Sequence, residues 1–470
     1  MTSYKIYVGG EFVETASVLE VKNPFSNELL ASTFLAGQEE LEQAIQKAEA
    51  VKGILKKLPS YKRYEILMQI AMEVKNNRTH LATVLASESA KPMRYALGEI
   101  DRAAQTFIVA AEETKRLPKE YLSLDWTPAG EGKEGVVNYF PVGLVAGIAP
   151  FNFPMNLAVH KIAPAIAAGC PIILKPASST PLSTLELAKI IDRTALPKGA
   201  VSVLPMNRIA GNQLVTDERF QLLSFTGSPV VGWEMKRNAG KKKVVLELGG
   251  NAAVIVTQTA EIDKAISKSV TGGFAYSGQI CIHAQRFYVH ESVFDKFVSA
   301  FIDATKKLKV GDPLDPTTDI SSMIDEENAK RVEAWIKEAI EQGAKVLFGG
   351  KRKATYVEPT ILTNTTNAMK VCAEEVFGPV VVIGKYENFQ EAIDQVNASR
   401  FGLQAGLFTN YQKEIDLAFN EIEVGGLIIN DVPTFRVDHM PYGGVKDSGL
   451  GREGVKYAIM DMLEPKILVK

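Results

Sequence analysis

Short apolar runs that do not alternate with polar residues constrain the fold of this chain more than any other feature. They occur at residues 144–148, 172–174, 201–204, 222–225 and 244–248. Strands buried on both faces of a parallel sheet have this composition, and the segments between the runs are long enough for crossover helices. Residues 142–250 therefore predict an open, doubly wound α/β unit, an architecture whose strand ends bind dinucleotides.

The rest of the chain shows helical and strand patterns on either side of this unit. Apolar residues recur at helical spacing from residue 38 to about 117, which predicts an amphipathic helical layer. Before that layer, residues 1–14 alternate around a Gly-Gly pair and predict a hairpin. A second α/β pattern runs from residue 251 to 430. Two α/β lobes imply a cleft between them.

Composition limits the partners and the location that we expect. Lys and Arg total 53 while Asp and Glu total 55, which gives a formal net charge of −2. This balance provides no basic field for nucleic acid or an anionic membrane. Prolines divide the most apolar stretch, 142–174, too finely for a membrane span, and the first residues lack an apolar signal core. Three cysteines cannot form a disulfide framework. We therefore expect a cytoplasmic protein that binds neither nucleic acid nor membranes.

A literal G-x-G-x-x-G dinucleotide fingerprint is present at residues 449–454, but its context does not fit a nucleotide site. The preceding residues 441–448 are polar and rich in glycine rather than a buried strand. Too few residues follow to complete a βαβ unit with an acidic ribose ligand. We predict a tight loop there.

Cys281 and Glu247 are the strongest candidates for chemistry. Cys281 follows a flexible turn, 277–279, from which a thiol can reach a substrate between the lobes; a buried structural thiol is the alternative. Glu247 ends an apolar run before two glycines, and burial there raises the pKa of a carboxyl towards the range of a general base. A salt-bridged structural glutamate is the alternative. Cys170 and Cys372 fit the interpretation of buried thiols.

Asn152 and Lys175 lie just beyond two of the predicted strands. The Asn152 amide is a candidate oxyanion donor, with a turn-capping asparagine as the alternative. Lys175 is placed to bind ribose or phosphate at a strand end; otherwise it is a surface lysine. Thr180 and Ser228 each precede a proline, which predicts that both hydroxyls cap helix N-termini.

Seven motifs together resemble the aldehyde dehydrogenase superfamily. They are APFNFP (149–154), LKPAS (174–178), FTGS (225–228), LELGG (246–250), GQIC (278–281), EEVFGP (374–379) and PYGGVK (441–446). The resemblance covers essentially the whole chain. It implies an NAD(P)-dependent oxidoreductase of the α/β class and assigns no metal site.

The resemblance also implies an organisation into domains. A Rossmann-like, doubly wound cofactor domain would comprise residues 1–120 and 140–247, and an α/β catalytic domain would comprise residues 248–430. A small β oligomerisation arm would comprise residues 121–139 and 448–470. The strand-like tail at the end of the chain would be an exposed edge without a partner, so we expect a homodimer or homotetramer.

The resemblance assigns the catalytic roles to three residues. The Cys281 thiolate would attack the aldehyde to give a thiohemiacetal, whose oxyanion Asn152 and the Cys281 N–H would hold. After hydride transfer to NADP or NAD, Glu247 matches the general base that activates water against the thioester. A CoA-acylating dehydrogenase, which needs no such base, is one alternative. A catalytically silent structural or binding protein on the same scaffold is another.

The cofactor residues follow from the same resemblance. Lys175 matches the ligand of the adenosine ribose, Glu375 the residue that holds the nicotinamide ribose, and Phe377 the residue that packs near the ring. Gly227 and Ser228 lie at a helix start, whose free N–H groups suit a pyrophosphate. The expected cofactor site comprises Pro150, Phe151, Lys175, Ser178, Gly227, Ser228, Glu375 and Phe377.

Two departures from common family patterns and one residue of the pocket loop concern specificity. Ser178 stands where many NAD-preferring members carry a glutamate, so no carboxylate there repels a 2′-phosphate, and we predict that NADP is accepted. Phe151 stands where several relatives have tryptophan. Arg436 lies in the loop that shapes the substrate pocket, where a guanidinium can recognise a carboxylate, phosphate or hydroxyl. An intersubunit salt bridge is the alternative role for Arg436.

The expected substrate site also includes Phe153, Ile280 and Ile282, which make the surroundings of the cysteine apolar. The chain resembles most the branch of lactaldehyde and non-phosphorylating glyceraldehyde-3-phosphate dehydrogenases. This branch implies a small hydroxy-, phospho- or semialdehyde as the substrate.

Overall fold

Strands form where the sequence has its short apolar runs. The computed structural model describes residues 2–470. The strands of this range are, in chain order, β1 (Ile6–Val8), β2 (Glu11–Val13), β3 (Val18–Lys22), β4 (Leu29–Phe34), β5 (Lys119–Ser123), β6 (Glu134–Pro141), β7 (Leu144–Ile148), β8 (Ile172–Lys175), β9 (Val201–Val203), β10 (Phe220–Thr226), β11 (Lys243–Glu247), β12 (Ala253–Val256), β13 (Arg286–His290), β14 (Lys345–Phe348), β15 (Arg352–Lys353), β16 (Tyr356–Val357), β17 (Thr360–Thr363), β18 (Val380–Tyr386), β19 (Phe401–Gly402), β20 (Gln404–Phe408), β21 (Gly426–Ile429), β22 (Val445–Lys446), β23 (Gly449–Leu450) and β24 (Leu463–Val469).

Helices occupy most of the segments between these strands, as the helical spacing predicts. They are α1 (Gln38–Lys57), α2 (Ser60–Asn76), α3 (Arg78–Ser89), α4 (Met93–Thr114), α5 (Asn156–Ala168), α6 (Leu182–Asp192), α7 (Arg208–Thr216), α8 (Pro229–Asn238), α9 (Ile262–Phe274), α10 (Glu291–Thr305), α11 (Glu326–Glu341), α12 (Lys370–Ala373), α13 (Phe389–Asn397), α14 (Gln412–Glu421) and α15 (Val455–Asp461). Within residues 2–470, no helix is both long enough and apolar enough to span a bilayer.

The first large sheet is the predicted doubly wound unit. Its strand order is β2-β1-β9-β8-β7-β10-β11-β23, and the five strands from β9 to β11 run parallel. Adjacent residues of one strand face two different cores: Val145 packs beneath α2 to α6, whereas Leu144 and Ala146 pack beneath α1 and α7. The chain reverses its winding between β7 and β10. A crevice for a dinucleotide forms at such a reversal, beyond the carboxyl ends of the strands.

The second large sheet belongs to the region 251–430, in which a second α/β pattern is predicted. Its order is β14-β17-β18-β13-β12-β20-β21, and all pairs are parallel except β14 with β17. Phe287, Phe297 and Phe301 pack together between this sheet and α10. The two sheets bring the ends of β7, β11 and the loop after α9 to a common cleft.

A third, antiparallel sheet contains β24, β6 and β5 in that order. It takes up residues of the expected arm, 121–139 and 448–470, but it divides the second segment. Residues 463–469 lie in this sheet, whereas Gly449 and Leu450 pair with the end of β11 in the first large sheet. Helix α15 packs against α4 and α5. The bounds of the arm stay a prediction, and the antiparallel sheet itself consists of β5, β6 and β24.

Two local expectations differ from the structure. Helix α6 begins at Leu182, one residue after Pro181, and the Glu88 carboxylate accepts the N–H groups of Leu182 and Ser183. The Thr180 hydroxyl donates instead to the Phe151 carbonyl, 3.4 Å away, and does not cap the helix. A buried carboxylate from a distant helix thus replaces the local cap.

The segment 449–454 is also more than a loop. Gly449 and Leu450 form a short strand that pairs antiparallel with β11, and the glycines Gly451 and Gly454 adopt positive φ angles of +84° and +98°. The segment is not part of a βαβ unit, so it does not form a nucleotide site of that kind. The segment instead lines the end of β11, next to Glu247.

Candidate active site

Asn152 and Cys281 come together from the two lobes. Asn152 lies in the loop between β7 and α5, is 3% exposed, and donates from Nδ2 to the Gln279 carbonyl over 3.0 Å. Cys281 follows a 3-10 turn in which Tyr276 and Ser277 have φ angles of +49° and +54°, a left-handed conformation that costs energy for residues with a Cβ. This strained turn aims the cysteine loop back towards Asn152.

The Cys281 thiol lies in a largely apolar environment. It is partly accessible and packs in a cluster with Phe153, Ile280 and Ile282, so the predicted substrate residues do surround the cysteine. The Sγ atom is 3.1 Å from the Tyr442 hydroxyl oxygen. Burial raises the pKa of the thiol to about 11, although Tyr442 acts in the opposite direction. The resting thiol is therefore protonated at neutral pH.

Glu247 ends β11 inside the protein and is 3% exposed. Its Oε1 accepts the Glu453 N–H over 3.2 Å, and its Oε2 has no hydrogen-bond partner among residues 2–470. Burial and the nearby negative charge of Glu453 raise the pKa of the Glu247 carboxyl well above its ordinary value. Such a carboxyl is suited to take up a proton during a reaction.

A buried charge cluster behind Glu247 escaped the sequence reasoning. Its centre is Glu453, whose Oε1 lies 3.2 Å from Lys161 Nζ and whose Oε2 accepts a hydrogen bond of 2.8 Å from Arg436 Nη2. Burial acts to raise the pKa of Glu453, but Lys161, His160 and Arg436 outweigh burial and lower it to about 2. Glu453 therefore carries a fixed negative charge beside Glu247.

Only part of this cluster left a signal in the sequence. His160 and Lys161 are ionisable residues in an otherwise apolar stretch of the sequence, and this position was a detectable signal. They lie in helix α5, all of whose residues are buried. Glu453 lies in the rejected G-x-G-x-x-G segment and had no local signal. Its importance comes from contacts with residues some 200 to 300 positions away in the chain.

Arg436 is buried rather than placed at a subunit contact. Its side chain is 6% exposed, and its guanidinium carbon lies 3.7 Å from the centre of the Tyr442 ring. The ion pair of Arg436 is with Glu453 of the same chain, so the alternative of an intersubunit salt bridge is wrong for this interaction. Because Tyr442 also contacts Cys281, Arg436 lies one side chain away from the thiol.

The crevice at the winding reversal brings the predicted adenosine-ribose residues together. A cavity of about 770 Å³ lies at the ends of β7, β8 and β10 and is lined by both Lys175 and Ser178. Burial lowers the pKa of Lys175, and the only hydrogen bond that its ammonium makes within residues 2–470 is a long one, 3.5 Å, to the Pro176 carbonyl. Arg208, which the sequence reasoning missed, also lines this cavity and lies 3.7 Å from Glu234.

Helix α8 begins at the same crevice. Ser228 occupies its N-cap position, as predicted, but the Ser228 hydroxyl makes no capping bond. The Gly227 N–H already donates to the Glu247 carbonyl over 3.0 Å, so it is not free for an anion. A Cβ atom on Gly227 would lie 2.5 Å from the Phe225 ring, which requires glycine at this position. The first turn of α8 remains the candidate for binding a pyrophosphate.

The other half of the expected cofactor site forms between the lobes. Glu375 Oε1 accepts the Gly250 N–H over 3.2 Å, and burial raises the pKa of this carboxyl to about 8. A Cβ atom on Gly249 would lie 2.0 Å from Glu375 Oε2, so glycine permits this close approach. Phe377 has a φ angle of +46° and packs edge-to-face on Phe151, with ring centres 5.8 Å apart. Pro150, the residue before Phe151, closes the end of β7.

The remaining cysteines are buried thiols, as expected. Cys170 and Cys372 are both buried, and Cys170 donates to the Met462 carbonyl over 3.4 Å. Burial raises the pKa of the Cys170 thiol to about 11. Cys170 and Cys372 pack in two hydrophobic clusters that differ from the cluster that contains Cys281.

The fold is thus that of a two-lobed α/β enzyme with a thiol at the mouth of a dinucleotide-type crevice. The chain belongs to the aldehyde dehydrogenase family, whose sequence model matches residues 12–468. It is 44% identical over 467 residues to a 3-sulfolactaldehyde dehydrogenase of Priestia megaterium, covering 99% of this chain and 98% of that protein.

Solved structures give the same assignment. Aldehyde dehydrogenase 21 from Physcomitrella patens, in complex with the reaction product succinate, is 45% identical with a TM-score of 0.98, and the match covers 100% of this chain and 98% of that one. The glyceraldehyde-3-phosphate dehydrogenase GapN from Methanocaldococcus jannaschii, complexed with NADP, is 40% identical with a TM-score of 0.92, over 96% and 98% of the two chains. These likenesses confirm the predicted family, branch and fold class.

Proposed function

We propose that this chain oxidises a short aldehyde that carries an anionic or hydroxyl group to the carboxylic acid, through a covalent adduct on Cys281. The observation that carries this proposal is the meeting of the Cys281 thiol with the Asn152 segment and the Tyr442 hydroxyl in one cleft. Glu247 and the crevice residues complete the set of groups that the reaction needs. NADP or NAD would occupy the crevice between the lobes.

The first step is attack of the Cys281 thiolate on the aldehyde carbon. The thiol must first lose its proton to solvent water, and the Tyr442 hydroxyl, 3.1 Å from Sγ, can donate to the resulting thiolate. The carbonyl oxygen becomes negatively charged as the C–S bond forms. The Asn152 amide has a second N–H besides the one that the Gln279 carbonyl accepts, and with the Cys281 N–H it would stabilise this oxyanion.

The second step converts the adduct to a thioester, and the third hydrolyses it. When bound, the nicotinamide cofactor supplies the oxidant by accepting a hydride from the substrate carbon. Glu247 would then take a proton from water as the water oxygen attacks the thioester, which releases the acid and returns the thiol. The fixed negative charge of Glu453 supports this role because it raises the affinity of the Glu247 carboxylate for a proton.

The crevice fits a dinucleotide, and its residues favour acceptance of NADP. Ser178 presents a hydroxyl to the cavity where a carboxylate would repel a 2′-phosphate, and the Arg208 guanidinium lies along the same cavity. The NADP complex of the related GapN supports this interpretation.

Replacing Ser178 with glutamate is expected to lower kcat/KM for NADP by about tenfold to a hundredfold, because a like charge would face the phosphate. The NAD value should stay within about threefold, and Ser178→Ala, which adds no charge, serves as the matched control. Steady-state rates with both cofactors give the answer. A preference of the unaltered chain for NAD above about a hundredfold would contradict acceptance of NADP.

Arg436 is the residue that we assign to substrate recognition. Its bond to Glu453 uses Nη2, and the guanidinium adjoins the Tyr442 ring that contacts the thiol. The relatives named for 3-sulfolactaldehyde and glyceraldehyde 3-phosphate, and the one bound to succinate, all point to small oxygenated or anionic compounds. A guanidinium recognises such groups through paired hydrogen bonds.

Changing Arg436 to methionine is expected to raise KM about tenfold to a hundredfold for succinic semialdehyde, while KM for hexanal changes little. Arg436→Lys, which keeps the charge but loses the planar fork, should give an intermediate value. Initial rates over a concentration series for both aldehydes separate the two effects. An equal effect on hexanal and on the charged substrate would remove the recognition role.

A substrate panel tests the function as a whole. Aliphatic, aromatic, hydroxy-, phospho- and semialdehydes should be compared with each cofactor, with the Cys281→Ala variant as the blank. We expect the highest kcat/KM among short substrates with an anionic or hydroxyl group. Activity that requires CoA and yields an acyl-CoA would support the acylating alternative, and no activity with any aldehyde would support a silent scaffold.

We also infer that the chain forms a homodimer or homotetramer through its arm. Strand β24 lies at a sheet edge, and six of its seven residues are exposed. An uncovered apolar edge favours pairing with another chain. Sedimentation velocity at micromolar concentration should show a dimer or tetramer, and Leu468→Glu, at a position that is already exposed, should shift the chain towards monomer. A stable monomer of the unaltered chain would refute this.

A further inference from the structure

A buried lysine that no catalytic role uses lies behind the active-site cleft. Lys91 stands in the short link between α3 and α4, and none of its surface is exposed. Its ammonium pairs with the Glu99 carboxylate, which is also buried. Isolated buried charges are costly, so a pair like this persists where the surrounding structure needs its geometry.

The Lys91 ammonium also faces two aromatic rings. It lies 3.7 Å from the centre of the Phe153 ring and 4.6 Å from the centre of the Tyr276 ring. The two rings contact each other edge-to-face with their centres 6.4 Å apart. A desolvated cation over an aromatic face is held in a defined place, and it holds the ring in return.

These rings belong to the two segments that build the active site. Phe153 directly follows Asn152, the proposed oxyanion donor. Tyr276 opens the strained turn that leads to Cys281, and its hydroxyl donates to the Ser89 carbonyl over 3.1 Å. One ammonium therefore contacts both the amide segment and the thiol segment.

Glu99 fixes the amide segment from its other end. Its Oε1 accepts the backbone N–H groups of Met155 and Asn156 over 3.0 and 3.1 Å. These groups open helix α5, only three residues after Asn152. The ion pair thus holds the Asn152 loop on both sides, through the Phe153 ring and through the start of the helix.

We propose that Lys91 and Glu99 form a positioning pair that sets the placement of the Asn152 amide relative to the Cys281 thiol. The proposal rests on the function proposed above, because the placement matters only if the amide stabilises an oxyanion formed at the thiol. Neither Lys91 nor Glu99 touches the substrate. Displacing a reacting group by about 1 Å can lower a rate about a hundredfold, so a clamp of this kind acts mainly on kcat.

The test removes both charges together, so that neither is left buried and unpaired. The variant Lys91→Met with Glu99→Gln should lower kcat for aldehyde oxidation about tenfold to a hundredfold. It should lower cofactor-independent hydrolysis of p-nitrophenyl acetate by a similar factor, because that reaction uses the same thiol and oxyanion donor. The aldehyde KM and the Kd for NADP, measured by fluorescence titration, should change less than about threefold.

Glu88→Gln provides a matched control from the same helical layer. Glu88 is also fully buried and binds two backbone N–H groups, but those groups belong to α6 rather than to the Asn152 loop. We expect this variant to alter the thermal midpoint while leaving kcat within about twofold. A purely structural role for Lys91 would make the two variants behave alike.

A second measurement shows whether the pair acts through Asn152. In an Asn152→Ala background the amide is absent, so adding the two charge-removing substitutions should change kcat by less than about threefold. If the two substitutions lower kcat in the Asn152→Ala background by the same factor as in the unaltered chain, the proposal is wrong. A folded Lys91→Met, Glu99→Gln variant with kcat within about twofold of the unaltered chain would also overturn it.

If the charge-free variant, Lys91→Met with Glu99→Gln, does not fold, Lys91→Arg is tested instead. The larger cation should displace the two aromatic rings and lower kcat several-fold. An unchanged kcat in Lys91→Arg would count against the proposal. If Cys281→Ala retains activity, the proposed function itself fails. If Cys281→Ala is inactive while the charge-free variant is unaffected, only the positioning role of Lys91 and Glu99 fails.

Discussion

Cys281→Ala is expected to lower kcat for aldehyde oxidation by about four orders of magnitude or more, because no other group in the cleft can form the covalent adduct. The thiol packs within an apolar cluster beside the Tyr442 hydroxyl, and alanine fits this space without adding a polar group. The fold and the cofactor crevice should therefore remain intact. Steady-state rates at saturating aldehyde, together with NADP binding by fluorescence, separate loss of chemistry from loss of structure.

The two buried cysteines provide the controls for that experiment. Cys170→Ala and Cys372→Ala remove buried thiols that pack in other hydrophobic clusters than Cys281, so both variants should keep kcat within about twofold. A thiol titration of the folded protein should find one accessible thiol per chain, which Cys281→Ala alone should lose. If Cys281→Ala keeps its dehydrogenase activity, the covalent mechanism is wrong.

Glu247→Gln is expected to stop the reaction after the hydride step. The amide cannot take a proton from water, so the thioester should accumulate and the steady-state rate should fall about a hundredfold to ten-thousandfold. A rapid burst of about one reduced cofactor per active chain should precede this slow phase. Stopped-flow absorbance of the reduced cofactor measures both phases. Loss of the burst along with the slow phase would mean that Glu247 acts before hydride transfer.

The pH dependence provides an independent check on Glu247. The base must be ionised to act, and burial together with Glu453 raises its pKa, so kcat should fall with decreasing pH at values well above those of an ordinary glutamate. A carboxyl whose pKa is higher in the folded than in the unfolded state stabilises the fold below the unfolded pKa, and this contribution is lost as pH rises through the folded pKa. Glu247→Gln should therefore raise thermal stability at alkaline pH while it lowers activity.

Much of the site was predictable because its residues stand at the ends of recognisable strands. Asn152, Lys175 and Glu247 each follow an apolar run, and the carboxyl ends of parallel strands meet at one edge of a sheet. Seven motifs taken together, including the one that contains Cys281, then indicated the family. The strand-end positions follow from local spacing, which a single sequence displays in full, whereas the roles of the residues follow from the family resemblance.

Local patterns failed where a distant group supplied the interaction. The Thr180 hydroxyl has the sequence signature of a helix cap, yet the Glu88 carboxylate binds the first N–H groups of α6. The sequence left two roles open for Arg436, an intersubunit salt bridge and recognition of the substrate. The ion pair of Arg436 with Glu453 of the same chain argues against the first role. Propensity is a weak guide when a buried charge competes for the same backbone groups.

From the sequence by itself, apolar periodicity and residue spacing predicted the two parallel sheets and a crevice at their strand ends, because these are properties of neighbouring positions, while resemblance to a family assigned the role of the Cys281 thiol. Only the tertiary structure decided the electrostatics of the site. Glu453 comes to Glu247 across 206 positions, and Lys91 comes to Tyr276 from another lobe. Burial and charge act through space, so the pKa of Glu247 and the alignment of Asn152 with Cys281 emerge only once the chain is folded.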